Sequence, residues 1–403
     1  SKRYRTPYEF INMDSEVVII GAGVAGSSLA LALAKEGMDV CLIDKGAPEI
    51  KGDIYKGRTT ALNLASLDFL EGLGVRKDIQ NYLTPFKNIY VWDSEGTSSL
   101  DFSSDEIGEP KLGDVVTNNA ILTGILALLA DHKNLRFLSK DSLKTLDPQK
   151  ESIKVCTEGG ESISCKLVVG ADGGLSSVRE LSSIKIRTWS YEQKALIANL
   201  KAEKSHKNIA YQVFTKNGPI ALLPMKKDNE EYLSLVWSAD IDYAENLLAL
   251  DEPSFLNELE RKTESVLGKL SLDGKISSYP LHQLHAKDYY SQRSVLIGDA
   301  AHSMHPLAGQ GLNLGLGDVK ELANRILRNR RHGEDIGNEK MLIEYSKARK
   351  SINLRMMGFM EVFKNGFGST NPWVRLGRNM AFGVAQKAPE LRKKFIKEAA
   401  GII

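Results

Sequence analysis

The chain has 403 residues, of which 42% are hydrophobic, 26% charged and 7% aromatic. These are the proportions of an ordinary folded protein, and at roughly 100–200 residues per domain the length suggests two or three units. Lys and Arg number 53 against 51 Asp and Glu, a net +2, so no general field recruits DNA, RNA or another polyanion and nucleic acid is not an expected partner. Cys41, Cys156 and Cys165 form no CxxC or CxxH pair, which fits a reducing compartment and leaves no Cys-based metal site.

The run Val17 to Ala34 carries no charge over 18 residues, a length that hydropathy alone would score as a membrane span. Its glycines divide it instead. Val17 to Ile20 reads as a strand, Gly21-Ala22-Gly23-Val24-Ala25-Gly26 as a tight turn, and Ser27 to Lys35 as a helix. Asp14 and Glu16 ahead of the run also count against a signal peptide, so the expected location is cytoplasmic. A second strand, Asp39 to Ile43, ends at Asp44, 23 residues after Gly21, about where a dinucleotide fold places the acid for a ribose hydroxyl. Gly21 permits the turn, Gly23 the approach of a pyrophosphate and Gly26 close packing of helix on strand. The ligand indicated is an adenine dinucleotide, with FAD and NAD(P) both open at this point.

Further along, Leu167 to Gly170 forms a strand that runs into Ala171-Asp172-Gly173-Gly174-Leu175-Ser176-Ser177-Val178-Arg179. Ile209 to Thr215, Pro219 to Pro224 and Glu231 to Ser238 read as strands of an antiparallel sheet. Ser294 to Ile297 leads into a glycine-rich segment, Gly298-Asp299-Ala300-Ala301-His302-Ser303-Met304-His305-Pro306-Leu307-Ala308-Gly309-Gln310-Gly311-Leu312-Asn313. His302 and His305 are three apart, but Pro306 and the glycines imply a loop and no metal site is expected. Helical spacing follows over Asp318 to Arg331 and Met341 to Lys364. In the tail, Arg375, Arg378, Lys387, Arg392, Lys393, Lys394 and Lys397 face Glu390 and Glu398, seven minus two, or +5.

These blocks resemble the single-component FAD-dependent aromatic hydroxylases, most closely the branch acting on ubiquinone precursors. GAGVAG looks like the site for the ADP part of FAD, GADGGLSSVR like the family's Asp-Gly block, and GDAAHSMHPLAGQGLNLGLGD like the segment holding ribityl and flavin. The likeness runs from about residue 15 to the C-terminus. It implies an α/β fold: a Rossmann-like FAD-binding domain (15–85, 112–184, 285–330) interleaved with an antiparallel-sheet substrate domain (86–111, 185–284), followed by a helical C-terminal region (331–403).

Carried over by position, the resemblance assigns Gly21, Gly23 and Gly26 to the diphosphate turn, Asp44 to the adenosine ribose, and Asp299 to the ribityl chain or adjoining phosphate. Gly311, Leu312 and Asn313 would hold the flavin ring through backbone groups, with Pro306 and Gly309 in the same segment. Arg58 matches a position near the flavin and the phosphates, and Asn118 a cofactor-binding position in the block Leu112 to Asn118. Asp172 acts mainly as an organiser, and Asp172 and Arg179 share a role between diphosphate and NAD(P)H. Helix capping is the alternative for Asp172 and Asp299, and a surface position for Arg58. Leu222 and Pro224, then Tyr211, Phe214 and Trp237, are candidates for substrate contact, with plain core packing as their alternative. Asp114 stands where the family more often has an aromatic, Thr117 where it has Glu, and Asp44 replaces a longer Glu.

The chemistry implied is reduction of FAD by a visiting NAD(P)H, since only one GxGxxG is present, then dioxygen addition to give a flavin C4a-hydroperoxide that hydroxylates an electron-rich ring. No residue is assigned as catalytic base. The expected partners are dioxygen and a small or polyprenylated aromatic substrate. A solvated helix end is one reading of the basic tail. The other is peripheral contact with an anionic membrane face or a biosynthetic complex. The rival functions are an FAD monooxygenase of soluble aromatic acids, a flavin-dependent lipid reductase and a non-catalytic flavin-holding scaffold.

Overall fold

The computed structural model describes residues 13–46, 53–94, 99–304 and 311–368, together with 389, 390, 393, 396, 397 and 401. The charge-free run resolves into β1 (Met13–Ile20), a glycine turn and α1 (Val24–Lys35), followed by β2 (Val40–Asp44). β1 and β2 pair in parallel, Val17 opposite Val40. α1 is buried on almost every side because α4 and α8, introduced below, pack against it as well as the sheet. No helix among the described residues is long and apolar enough to cross a membrane.

The chain then makes β3 (Thr59–Asn63), α2 (Leu64–Gly72), α3 (Arg76–Ile79), β4 (Thr84–Phe86), β5 (Asn88–Asp93), β6 (Ser99–Ser103), β7 (Gly113–Thr117) and α4 (Asn118–Leu129). β8 (Leu135–Ser139), β9 (Leu143–Pro148), β10 (Ile153–Thr157), β11 (Ser162–Gly170) and α5 (Ser177–Leu181) follow. The middle of the chain comprises β12 (Ile186–Ala202), β13 (Ile209–Thr215), β14 (Gly218–Lys227), β15 (Glu230–Asp240), α6 (Ile241–Leu248), α7 (Glu252–Lys262), β16 (Leu270–Leu272) and β17 (Ser277–Ala286). The chain returns through β18 (Tyr290–Ser291), β19 (Ser294–Leu296), β20 (His302–Ser303), α8 (Gly311–Arg331) and α9 (Glu339–Gly368).

Two large sheets result. The first runs β18-β19-β11-β1-β2-β8, with its central strands parallel. Val17, Val18, Ile19, Leu42 and Val168 are all fully buried in it, as parallel strands covered on both faces should be. The second runs β20-β17-β12-β15-β14-β13-β5-β6 and is antiparallel except where β13 meets β5. A small sheet, β3-β7-β4, lies between them. The second sheet is also buried on both faces: one packs on α6 and α7 around Trp237 and Phe255, the other on the small sheet around Phe214, Val115 and Phe102. Ile396, from the C-terminal stretch, is buried in this latter cluster.

Candidate active site

The turn after β1 is built from glycines that do different jobs. Gly21 has φ +104°, and a Cβ there would lie 2.3 Å from Ala171 O. A Cβ on Gly26 would lie 1.9 Å from Gly21 O, so these two residues are fixed by close backbone approach. A Cβ on Gly23 would meet nothing within 4 Å, and no side chain caps α1. The first N–H groups of α1 are therefore available at an open surface, the arrangement that receives a phosphate. Gly173, with φ +80°, is similarly open across the way.

A cavity of about 310 Å³ runs from this turn to the second sheet, a size within the range of small-molecule sites at roughly 300–1,000 Å³. Its walls include Gly23, Arg58, Asn118, Asp299, Gly311 and Leu312 on the side of the glycine turn, and Ile197, Val236 and Tyr279 from the second sheet. The uncapped helix, the open glycines and a slot reaching an apolar sheet face suit a diphosphate joined to a flat ring system. Thr59 Oγ1 and Ser234 Oγ, 2.6 Å apart, tie β3 to β15 beside it.

Asp44 stands at the end of β2, where its Oδ2 accepts the Ala22 N–H at 2.7 Å and its Oδ1 the Gly46 N–H at 2.7 Å. It thus braces the glycine turn and keeps one further lone pair per oxygen for a ligand. Asn118 accepts the Thr60 hydroxyl at 2.7 Å through Oδ1. Thr117 caps α4 by accepting the Ala120 N–H at 3.2 Å and donates to Ile54 O at 2.5 Å. Asp114 is buried and paired with Lys111.

Asp172 is a cap. Its carboxylate accepts the Ser177 N–H at 2.7 Å and both the Ser176 and Ser177 hydroxyls at the start of α5, while its neighbours Ala171 and Gly173 line the cavity. Arg179 spans the two Asp-Gly blocks, donating to Gly174 O at 2.7 Å and Ala300 O at 2.9 Å. Burial pulls its guanidinium below the usual arginine value. Asp299 lies exposed on the Gly298–Ala300 turn, in the cavity wall. Asn313 turns away from the cavity: its Nδ2 donates to Ala61 O at 2.9 Å and its Oδ1 accepts the Asn63 N–H at 3.0 Å. Only its backbone is left for the role expected of it. Pro306 and Gly309 lie outside the described residues.

Of the five residues expected at the substrate, none is in the cavity wall. Tyr211, Leu222 and Trp237 belong to the opposite core, with the Trp237 ring 5.8 Å from that of Phe255, and Pro224 shares the parity of Leu222 on β14. Phe214 is on the cavity side but inside the apolar cluster with Phe102 and Val115. Side chains alternate along a strand, so a one-residue offset exchanges the two faces. Val236, next to Trp237, faces the cavity. Tyr279 also lines the cavity. Its ring carries the Arg58 guanidinium 5.1 Å from its centroid, and burial raises its phenol above the ordinary value although Arg58 opposes the shift. No motif marks it, and only the alternation of β17 could have found it.

Residues 14–360 match the FAD binding domain family. The chain is 34% identical over 390 residues to a ubiquinone hydroxylase of Rhodospirillum rubrum, covering 96% of this chain and 90% of that one. The chain belongs to the FAD-dependent aromatic hydroxylases, in the ubiquinone-hydroxylase branch. Another relative is 3-demethoxyubiquinol 3-hydroxylase of Escherichia coli, 32% identical over 97% of this chain and all of that one. Among solved structures, p-nitrophenol 4-monooxygenase of Pseudomonas putida superposes with a TM-score of 0.79 at 19% identity, over 97% of this chain and 99% of that one, a likeness of fold. This member of the family is accordingly an FAD monooxygenase, with NAD(P)H as the family's reductant.

Proposed function

We propose that this protein hydroxylates the aromatic ring of a ubiquinone precursor. One oxygen atom of dioxygen enters the ring, the other leaves as water, and NAD(P)H provides the two electrons. The observation that carries the reading is the single cavity shared by the glycine turn and the second sheet: a ring lying on Ile197 and Val236 is within the same space as the segment from Gly311. FAD, when bound, supplies hydride acceptance and oxygen activation.

The chain's residues do the rest. The open N–H groups at Gly23 and the start of α1 receive the diphosphate. Asp44 receives the adenosine ribose, Asp299 the ribityl chain or adjoining phosphate, and the backbone of Gly311 and Leu312 the flavin ring. Arg58 contributes a fixed positive charge with planar donors, and Asn118 a polar edge steadied by Thr60. Ile197, Val236 and Tyr279 form a wall that keeps water from the ring. No side chain in the cavity is assigned as a base. We assign residues 15–85, 112–184 and 285–330 to the cofactor domain and 86–111 and 185–284 to the substrate domain. A polyprenylated substrate resides in a bilayer, and to the basic tail, whose Arg375, Arg378, Lys387, Arg392 and Lys394 lie outside the described residues, we assign contact with an anionic membrane face or a biosynthetic complex.

Stopped-flow absorbance of the FAD-loaded protein mixed with NADPH or NADH, with and without a short-chain ubiquinone precursor, tests the reading. Faster bleaching with the precursor, and oxygen-18 from dioxygen in the product ring, are the expected results. Slow bleaching in both cases, or a reduced product without label, would sink it.

A further inference from the structure

Asp299 reaches the cavity on a short turn, and behind that turn lies a carboxylate with no contact with solvent. Asp318, on α8, is 0% exposed. Its Oδ2 accepts the Gly298 N–H at 3.0 Å and His302 Nε2 at 2.5 Å. Its Oδ1 accepts Arg349 Nε at 2.7 Å and Asn353 Nδ2 at 3.1 Å, both from α9. One side chain thus holds both ends of the Gly298–His302 segment from one oxygen and a separate helix from the other.

The surroundings are built to admit this arrangement. Gly298 has φ +59°, and a Cβ on Gly317 would lie 2.6 Å from Arg349 Nη2. Arg349 also donates to Leu314 O at 3.1 Å. Asn353 donates to the Tyr289 hydroxyl at 3.3 Å, which is 3.0 Å from His285 Nε2. A buried carboxylate is costly unless its charge and lone pairs are satisfied; here four donors do so.

We infer that Asp318 is a positioning residue for the cofactor. It sets the Asp299 turn and His302 against the same helix whose first residues, Gly311 and Leu312, form the facing wall, and through Arg349 and Asn353 it makes α9 part of the frame of the site. The inference rests on the cavity being the FAD site. A simple internal ion pair would stabilise the fold without governing how flavin sits.

The test uses the full chain as Asp318→Asn, His302→Leu and His302→Gln. It follows FAD affinity by flavin fluorescence, the visible circular dichroism of bound flavin, and the unfolding midpoint of the FAD-free protein. Asp318→Asn and His302→Leu should each weaken FAD binding by about tenfold or more, the scale of a lost charge-assisted hydrogen bond, and change the flavin dichroism. His302→Gln keeps an N–H donor and should stay within about threefold of the parent. If Asp318→Asn does not fold, His302→Leu decides. Unchanged affinity and dichroism, with only a lower unfolding midpoint, would overturn the inference while leaving the FAD site standing. A parent chain that fails to retain FAD would overturn both.

Discussion

The guanidinium of Arg58 lies over the ring of Tyr279, 5.1 Å from its centroid, and this contact joins the loop ahead of β3 to the second sheet at the cavity wall. The two residues are 221 positions apart and both line the cavity. Arg58→Met should weaken FAD binding by about 1.5–3 kcal/mol, the range for hydrogen bonds to a charged group. Tyr279→Leu, which leaves the cation but removes the ring, should cost about 0.5–1 kcal/mol. Titration of each variant with FAD checks both figures, and equal losses would mean that the ring does more than steady the arginine.

Asp299 and Asp172 follow the same kind of glycine-rich strand end yet have different surroundings. Asp299→Ala should lower FAD affinity by about 1.5–3 kcal/mol through loss of a charge-assisted bond. Asp172→Ala removes the bonds that its carboxylate accepts from the Ser177 N–H and the Ser176 hydroxyl at the start of α5, leaving Ser176 as the N-cap, and should lower stability by about 1–2 kcal/mol. Comparing urea unfolding of the FAD-free proteins with flavin titrations separates the two effects. A large stability loss in the Asp299 variant, with unaltered flavin affinity, would contradict this division.

Val236 and Trp237 test which face of β15 the substrate meets. Val236→Phe should obstruct the ring and raise KM or abolish turnover, with flavin content kept. Trp237→Ala should cost about 3–5 kcal/mol of stability by opening a cavity against Phe255. Steady-state kinetics and thermal melts of the two proteins decide the matter.

That pair also marks the limit of what the sequence carries. The glycine turn, Asp44 and the Asp299 block were readable because each needs particular residues at fixed spacing: a Cβ on Gly26 would collide with Gly21 O, and few substitutions escape that constraint. Ile209 to Thr215 was legible as a strand with its ends in place. Its facing was not. In β14 and β15 apolar residues occupy both faces, Leu222 and Trp237 on one, Leu223 and Val236 on the other, so alternation of hydrophobicity carries no information about direction. Arg179 and Asp318 were harder still, since their partners lie far along the chain: Ala300 for one, Arg349 for the other.

Acid should destabilise the protein in two stages set by the cluster behind the cavity. Burial, with His302, Lys350 and Arg187 nearby, lowers the His285 pKa from 6.5 to about 4, so the folded state keeps this imidazole neutral. As pH falls from 6.5 towards 4 the unfolded chain takes up the proton first, and stability present above that window is lost across it. His206, whose pKa burial also lowers, acts in the same direction. Burial opposes ionisation of Asp318, but His302 and Arg349 outweigh it and lower its pKa from 3.8 to about 2. Its contribution is therefore present above 3.8 and lost towards 2. Urea midpoints of the parent and His285→Gln between pH 7 and pH 4 should converge on acidification, because the variant lacks the titrating ring. Parallel curves would show that His285 is not held neutral by the fold.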